Sequence, residues 1–235
     1  MNALIGRHQH ALETKRRFVA DAAHELRTPL APLQIQIDNL RSQDLATPIR
    51  EMATDLLAGI RRAVYSVNQL LTMARADASA ERDLEEIEVA TLIRFVASGF
   101  TSISEAKSVH LSVDVEDGIR VVSRPPDVQL VLTNLIDNAL RYSEPGGEIP
   151  IGGRRDAGIV AITITDDGCG IPEVALPLIF DRFFKAASQD VVGTGLGLAI
   201  AKTAADRSGM SIAITNRPDA RGVKAILEMP AFDAA

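Results

Sequence analysis

This chain has few of the sequence features that would by themselves indicate a class of protein. Cys169 is the only cysteine among 235 residues, which excludes an internal disulfide, and no cluster of cysteine and histidine has zinc-site spacing. No apolar run approaches the ~20 residues of a transmembrane helix, and no signal peptide is visible. The sequence therefore predicts a soluble chain in a reducing cytoplasm. Internal repeats and low-complexity tracts are also absent.

The charge balance is acidic, with a formal net charge of -6 at pH 7. Because no strong basic patch interrupts it, direct binding to nucleic acid is not expected. Hydrophobic residues make up 46% of the chain and charged residues 24%, which is typical of a globular protein. The length allows one large domain or two small ones.

Glycine is nearly absent from the first third of the chain, where the pattern is helical up to about Ala76. Apolar residues first recur every seven positions, and after a break at 43–48 a second series alternates in steps of four and three. Two such helices joined by a short loop predict an antiparallel hairpin. Since a lone hairpin buries little apolar surface, we expect a second copy to complete a dimeric four-helix bundle. A hairpin packed on the second domain of its own chain is the alternative.

A seven-residue motif, H-E-L-R-T-P-L, begins at His24 on the first of these helices. The heptad register places His24 on the solvent-facing flank, with Thr28 on the same face. A neutral imidazole is a nucleophile near pH 7, and Glu25 is a candidate base beside it. On spacing alone, a passive surface histidine is the alternative.

A short polar segment, 77–83, separates this half from a second half in which strands and helices mix. Strands are predicted at 86–89, 110–115, 119–122, 148–155, 159–165, 211–215 and 223–229, and helices at 90–103, 125–142 and 196–207. The two strands 148–155 and 159–165 are expected to form a hairpin. This pattern favours an α/β sandwich with its helices on one face.

Four polar segments in the second half suggest a nucleotide site. In the first, on the helix 125–142, Asn134 and Asn138 are one turn apart with Arg141 and Tyr142 nearby. Amide oxygens suit Mg²⁺, and arginine suits phosphate oxygens. Considered alone, the segment could equally be a solvated helix face.

The second segment, D-D-G-C-G-I-P, begins at Asp166 directly after an apolar strand. Its carboxylate can accept from an amino group, and Gly168 and Gly170 allow the backbone to approach a ligand closely. Cys169, between the two glycines, is expected to pack rather than react.

The third segment is F-D-R-F-F-K, in which Arg182 and Lys185 could reach a terminal phosphate. The fourth, G-T-G-L-G-L from Gly193, runs into a helix whose N-terminus favours phosphate. It is neither a Walker loop nor a dinucleotide fingerprint.

Taken in order, these segments resemble the cytoplasmic catalytic core of a two-component sensor histidine kinase. F-V-A-D-A-A-H-E-L-R-T-P-L is similar to the H-box, N-L-I-D-N-A-L-R-Y-S to the N-box, and D-D-G-C-G-I-P to the first glycine box. F-D-R-F-F-K is similar to the F-box and G-T-G-L-G-L to the second glycine box. The resemblance covers nearly the whole chain. It implies an α+β protein of two domains, a dimeric helical hairpin and a Bergerat-type ATP-binding sandwich.

By this resemblance His24 receives the γ-phosphoryl group of ATP and passes it to an aspartate of a separate response regulator. Glu25 would be the general base. Glu25 and Thr28 also match the E-x-x-T pattern of kinases that dephosphorylate the regulator, with Thr28 orienting water.

The resemblance also implies an ATP site with Mg²⁺ held by Asn138. Asp166 would accept from the adenine amino group, and Lys185, at a position that is often arginine, would face the γ-phosphate. The residues placed around ATP are Asn134, Asn138, Arg141, Tyr142, Asp166, Gly168, Gly170, Lys185, Gly193, Thr194, Gly195, Leu196 and Gly197. Residues 185–192 would form a lid over the nucleotide.

The implied domains are a HAMP-like signalling tail (1–15), the dimerisation and phosphotransfer domain (16–76), the linker (77–83) and the ATP-binding domain (84–235). The implied partners are a second copy of the chain and a response-regulator receiver domain. A membrane-anchored parent protein is also implied, in the bacterial inner membrane. The alternatives are a non-catalytic nucleotide-sensing module, an ATPase of the gyrase or chaperone branch, and a protein that acts mainly as a phosphatase.

Overall fold

The structure is a computed structural model that describes residues 84–186, 195–218 and 221–232. The chain divides into two compact units, and the described residues all belong to the second, which begins at residue 82. The predicted hairpin with His24, Glu25 and Thr28 lies outside the described residues. So do the linker, Gly193, Thr194 and most of the predicted lid.

The described part of the chain contains strands, α-helices and a 3₁₀ helix at Glu173–Leu178. The strands are β1 (Glu85–Glu88), β2 (His110–Val115), β3 (Arg120–Ser123), β4 (Glu148–Asp156), β5 (Ile159–Thr165), β6 (Ser211–Asn216) and β7 (Val223–Pro230). The α-helices are α1 (Val89–Ser98), α2 (Thr101–Lys107), α3 (Pro125–Tyr142) and α4 (Gly197–Arg207). None of these helices is long and apolar enough to span a membrane.

Two sheets form the β-layer. The larger has the strand order β2-β4-β5-β7-β6, in which β2 and β4 are parallel and all other neighbours are antiparallel. The smaller is the antiparallel pair β1 and β3. The β4–β5 hairpin turns through Ala157 and Gly158, both at positive φ, as the predicted tight turn requires.

Alternation along the central strands determines which face of the large sheet is buried. Every second residue of β5, at Val160, Ile162 and Ile164, is buried in a core that includes apolar side chains of α1, α3 and α4. The intervening positions are intermediate or exposed. The helices therefore cover one face, as predicted.

The longest of the described helices, α3, begins and ends where the sequence predicts. Pro125 and Pro126 occupy its first turn, where a missing N–H costs nothing. At its other end Lys107 donates from Nζ to the carbonyl oxygens of Leu140 at 2.6 Å and Arg141 at 2.7 Å. This ammonium satisfies carbonyls left unpaired by the helix end and complements the helix dipole.

An ionic cluster ties the start of α3 to the end of α4. The buried Asp127 carboxylate accepts from both Nη2 and Nε of Arg207, and from Ser208 Oγ at 2.5 Å. Arg124 Nη1 donates to the carbonyl oxygen of Arg207 at 3.0 Å. Because a bidentate ion pair is geometrically specific, the cluster fixes the relative position of two helices that carry site residues.

The helix predicted at 90–103 is wrong as one element, since it is divided into α1 and α2. The amide groups of Gly99 and Phe100 donate to Val96 and Ala97, three residues back, instead of four. Glycine disfavours the helix interior, and Ser98 Oγ competes for the carbonyl oxygen of Phe95 at 2.7 Å. The break allows Phe100 to enter the core.

Candidate ATP-binding site

Asp166 lies directly after β5, where its side chain is turned into the fold. The residue is 7% exposed. Its carboxylate accepts through Oδ1 from the backbone N–H of Gly168 at 2.9 Å and of Val223 at 3.1 Å. Since both bonds end on Oδ1, Oδ2 is the oxygen suited to accept from a ligand amino group.

The surroundings of Asp166 oppose each other in their effect on its ionisation. Burial raises the pKa of the Asp166 carboxyl, while the backbone bonds from Gly168 and Val223 lower it. Asp167 raises the pKa further, and the Arg217 guanidinium lowers it. Arg217 Nη1 also donates to the backbone oxygen of Asp166 at 3.3 Å. Arg217 therefore helps to keep a desolvated carboxylate ionised.

We expect Arg217→Gln to shift the pH dependence of ADP binding toward higher pH. The raised pKa of Asp166 means that the ionised form is lost as pH falls through a value above the usual aspartate range, and ligand binding to the carboxylate weakens with it. Without Arg217 that loss begins at a higher pH. Calorimetric titration with ADP between pH 5 and about 8 measures the shift. The phosphates of ADP ionise alike in the titrations of both proteins. Superimposable curves of ADP affinity against pH would therefore contradict this role for Arg217.

The glycines of this loop are close to other parts of the fold. A Cβ on Gly168 would lie 2.6 Å from the backbone oxygen of Tyr142, at the end of α3. Gly170 has φ +76, and a Cβ there would lie 3.2 Å from Asn216 Oδ1. The loop is thus packed between α3 and the β6–β7 hairpin, which explains why side chains are absent at both positions.

The two asparagines of α3 face the first residue of α4, Gly197. A Cβ on Gly197 would lie 3.1 Å from Asn134 Oδ1 and 4.0 Å from Asn138 Oδ1. Asn134 is 1% exposed, and its Nδ2 donates to the carbonyl oxygen of Leu130 at 2.8 Å. Asn138 is only partly buried. The predicted shared face exists, and Asn138 is the member that a ligand can reach.

Two further residues predicted around ATP lie in the last turn of α3. Arg141 Nη2 forms an ion pair of 2.6 Å with Asp137, one turn earlier. Tyr142 is partly buried, and this burial raises the pKa of its hydroxyl group. The hydroxyl is therefore neutral at pH 7 and can donate to a phosphate oxygen.

The start of α4 is packed against the F-D-R-F-F-K segment. The backbone N–H of Phe183 donates to the carbonyl oxygen of Gly195 at 2.8 Å, and a Cβ on Gly195 would lie 2.5 Å from the carbonyl carbon of Phe183. This contact brings the exposed Lys185 into the same region of the chain as the N-terminus of α4. Leu196 is 2% exposed, so its side chain contributes to packing.

The structure corrects one expectation about this loop and adds residues that the sequence did not indicate. Cys169 is exposed, which contradicts its predicted packing role; it lies between Gly168, which packs on Tyr142, and Gly170, which has φ +76. Sequence reasoning also missed Asn216, Arg217 and Gly222 of the β6–β7 hairpin. They are about fifty residues from Asp166, and only the pairing of β5 with β7 brings them together.

The side chains in this region could hold Mg²⁺ only together with a bound nucleotide, whose phosphates would supply further ligands. Within the described ranges, no group of three or more histidine, cysteine, aspartate or glutamate side chains could hold a metal. The amide oxygen of Asn138 is a hard ligand of the kind Mg²⁺ accepts. A site with one protein ligand is typical where phosphate oxygens and water supply the others.

Comparison with protein families decides the assignment. Residues 123–232 match the model for histidine kinase-, DNA gyrase B- and HSP90-like ATPases, and residues 14–79 match that for the His Kinase A (phospho-acceptor) domain. The chain belongs to the histidine kinase family. The predicted two-domain α+β class and the predicted ATP-binding domain are confirmed.

Individual histidine kinases are similar along most of the chain. The swarming motility regulation sensor protein RssA of Serratia marcescens is 33% identical over 232 residues, covering 98% of this chain and 50% of RssA. The sensor protein QseC of Escherichia coli O157:H7 is 35% identical over 220 residues, covering 92% of this chain and 48% of QseC. The chain therefore spans about half the length of these relatives. The catalytic domain of histidine kinase ThkA has a TM-score of 0.57 at 29% identity, covering 63% of this chain and 96% of that domain.

Proposed function

We propose that this chain transfers the γ-phosphoryl group of ATP to His24 and then to an aspartate of a response regulator. The observation that carries the proposal is the Asp166 carboxylate, which is buried, saturated at Oδ1 and placed beside the helix of Asn138. Such an acceptor fits the amino group of adenine. The match of residues 14–79 to a phospho-acceptor domain supplies the second substrate of the transfer, since it includes His24.

The described residues have separate parts in binding ATP. Oδ2 of Asp166 accepts from the adenine amino group, and Gly168 and Gly170, which pack on Tyr142 and Asn216, shape the loop beside the ring. The N-terminus of α4 at Gly197 and the cation of Lys185 favour the phosphates. Arg141 and Tyr142 also lie near the phosphates, and the predicted lid, residues 185–192, closes over the nucleotide.

In the transfer step, an imidazole nitrogen of His24 forms a bond to the γ-phosphorus while the bond to the β,γ-bridging oxygen breaks and ADP leaves. Glu25 accepts the imidazole proton. The reaction depends chiefly on positioning and on neutralising phosphate charge. Mg²⁺, held by Asn138, supplies part of that neutralisation when it is bound.

The remaining assignments follow from the phospho-acceptor domain. We propose a homodimer formed through the helical hairpin, with a response-regulator receiver domain as the second partner. Thr28, with Glu25, orients water for dephosphorylation of the regulator. We also propose that the parent protein is anchored in the bacterial inner membrane, as the resemblance to sensor histidine kinases implies.

The decisive experiment incubates the chain with γ-labelled ATP and Mg²⁺ and determines the chemistry and position of the label. A phosphohistidine is acid-labile and alkali-stable, so the label is expected to have these properties and to map to the peptide containing His24. Addition of a receiver domain should then remove it. Acid-stable label, label elsewhere, or ATP hydrolysis without any labelled protein would contradict the proposal and favour the ATPase or nucleotide-sensing alternatives.

A further inference from the structure

The adenine loop, residues 166–171, is held at both ends by the β6–β7 hairpin. At its first end, the backbone N–H of Asp166 donates to the carbonyl oxygen of Val223 at 2.9 Å, and Val223 N–H donates to Asp166 Oδ1 at 3.1 Å. At its far end, Asn216 Nδ2 donates to the carbonyl oxygen of Ile171 at 2.6 Å. Ile171 N–H donates back to Asn216 Oδ1 at 2.8 Å.

The pair of bonds to Ile171 requires a carboxamide. A planar amide offers one donor and one acceptor in the spacing of the peptide groups that it meets. The side chain of Asn216 thus forms with Ile171 the contact that a second strand would form. A carboxylate of the same shape could accept but not donate, and an aliphatic side chain could do neither.

Asn216 is also the residue that links the two ends of the loop. It is the last residue of β6 and pairs in register with Val223, which holds Asp166. The next residue, Arg217, donates to the backbone oxygen of Asp166 at 3.3 Å. One end of one hairpin therefore fixes the distance between the Asp166 carboxylate and the opposite side of the loop.

Asn216 holds the far end of the loop, while the packing of Gly168 holds its near end. Gly170 has φ +76, and the position of its missing Cβ lies 3.2 Å from Asn216 Oδ1. Gly168 is packed on the backbone of Tyr142. Cys169, which lies between these two glycines, is exposed to solvent.

We propose that Asn216 is a positioning residue for adenine recognition. It holds the part of the loop from Gly168 to Ile171 at the separation from Asp166 that the adenine ring occupies. The inference rests on the proposed function, because it takes Asp166 as the acceptor for the amino group. Asn216 is tied to the adenine side of the site, so its loss affects ground-state binding of ATP and leaves the transfer step unchanged.

The test compares Asn216→Leu and Asn216→Asp with the wild type in the full 235-residue chain. Thr215→Leu is the matched control, because Thr215 precedes Asn216 on β6 and its side chain is exposed. Autophosphorylation is measured against ATP concentration, and inhibition is measured with ADP and with tripolyphosphate. We expect both Asn216 variants to raise the KM for ATP roughly tenfold with a maximal rate within about twofold of wild type.

The inhibitors separate adenine positioning from general damage. Inhibition by ADP should weaken by the same factor as ATP binding, while inhibition by tripolyphosphate, which has no adenine, should be unchanged. Thr215→Leu should change none of these values. Unchanged KM in both Asn216 variants, an equal loss of tripolyphosphate inhibition, or unfolding of both variants at the assay temperature would overturn the inference.

The wild type distinguishes this inference from the proposed function. If the wild type neither binds ADP nor incorporates label, both are overturned. If the wild type is active and both Asn216 variants match it, only the positioning role of Asn216 fails.

Discussion

Replacing Asp166 by asparagine is expected to weaken ADP binding roughly a hundredfold or more. Oδ1 of Asp166 accepts from two backbone N–H groups, so the asparagine must keep its carbonyl oxygen there and turn its NH₂ group toward the ligand. The amino group of adenine would then meet a donor instead of an acceptor. The substitution also removes the charge that strengthens the bond. Isothermal titration with ADP measures the change.

The effect of Asp166→Asn should be confined to binding. The substitution removes a carboxylate that is costly to bury and keeps the acceptor used by Gly168 and Val223, so we expect the unfolding midpoint in urea to change little. Asp156→Asn is the matched control, because Asp156 is exposed at the end of β4. ADP affinity equal to that of the wild type in Asp166→Asn would show that adenine is recognised elsewhere.

Local sequence signals were sufficient for those elements whose ends are chemically marked. Helix α3 was predicted correctly at both ends because prolines mark its start and the segment S-E-P-G-G follows its end. The β4–β5 hairpin was predicted because Gly158 suits a tight turn at positive φ, a conformation that Ala157 also adopts there. In contrast, no strong signal separates α1 from α2, since Gly99 alone is tolerated within many helices.

The sequence predicts the residues of the candidate site but not the residues that hold them in place. Asp166, Asn138 and the glycines of the loop were found because their segments follow one another in the order of the kinase boxes, although each segment alone could be a turn or a solvated helix face. Asn216 could not be found in this way, because its partner Ile171 is 45 residues away and an asparagine at a strand end is ordinary. The burial of Asn134 was also hidden, since helical periodicity places it beside Asn138 without showing that Gly197 covers it.

Replacing Gly222 by alanine is expected to lower the free energy of unfolding by roughly 4 kcal/mol or more. Gly222 has φ +106, which side chains rarely adopt, and a Cβ there would lie 2.0 Å from the backbone oxygen of Asp166 and 2.8 Å from Cα of Asp167. These are backbone atoms, so no side-chain rotation relieves the overlap. The hairpin would have to move away from Asp166 and give up the two hydrogen bonds between Asp166 and Val223. Urea denaturation of the full chain measures the loss.

Gly118→Ala separates the two causes of this instability. Gly118 has φ +77, but no described atom lies within 4 Å of the position of its missing Cβ, so its substitution should cost only the ~1 kcal/mol of backbone strain. Gly118→Ala should also bind ADP as the wild type does. Gly222→Ala, studied at a temperature where it is still folded, should lose ADP affinity, because movement of the hairpin displaces the acceptor of the adenine amino group. Equal destabilisation by the two substitutions would mean that β7 yields to the added methyl group, and the hairpin would then be too compliant to position Asp166.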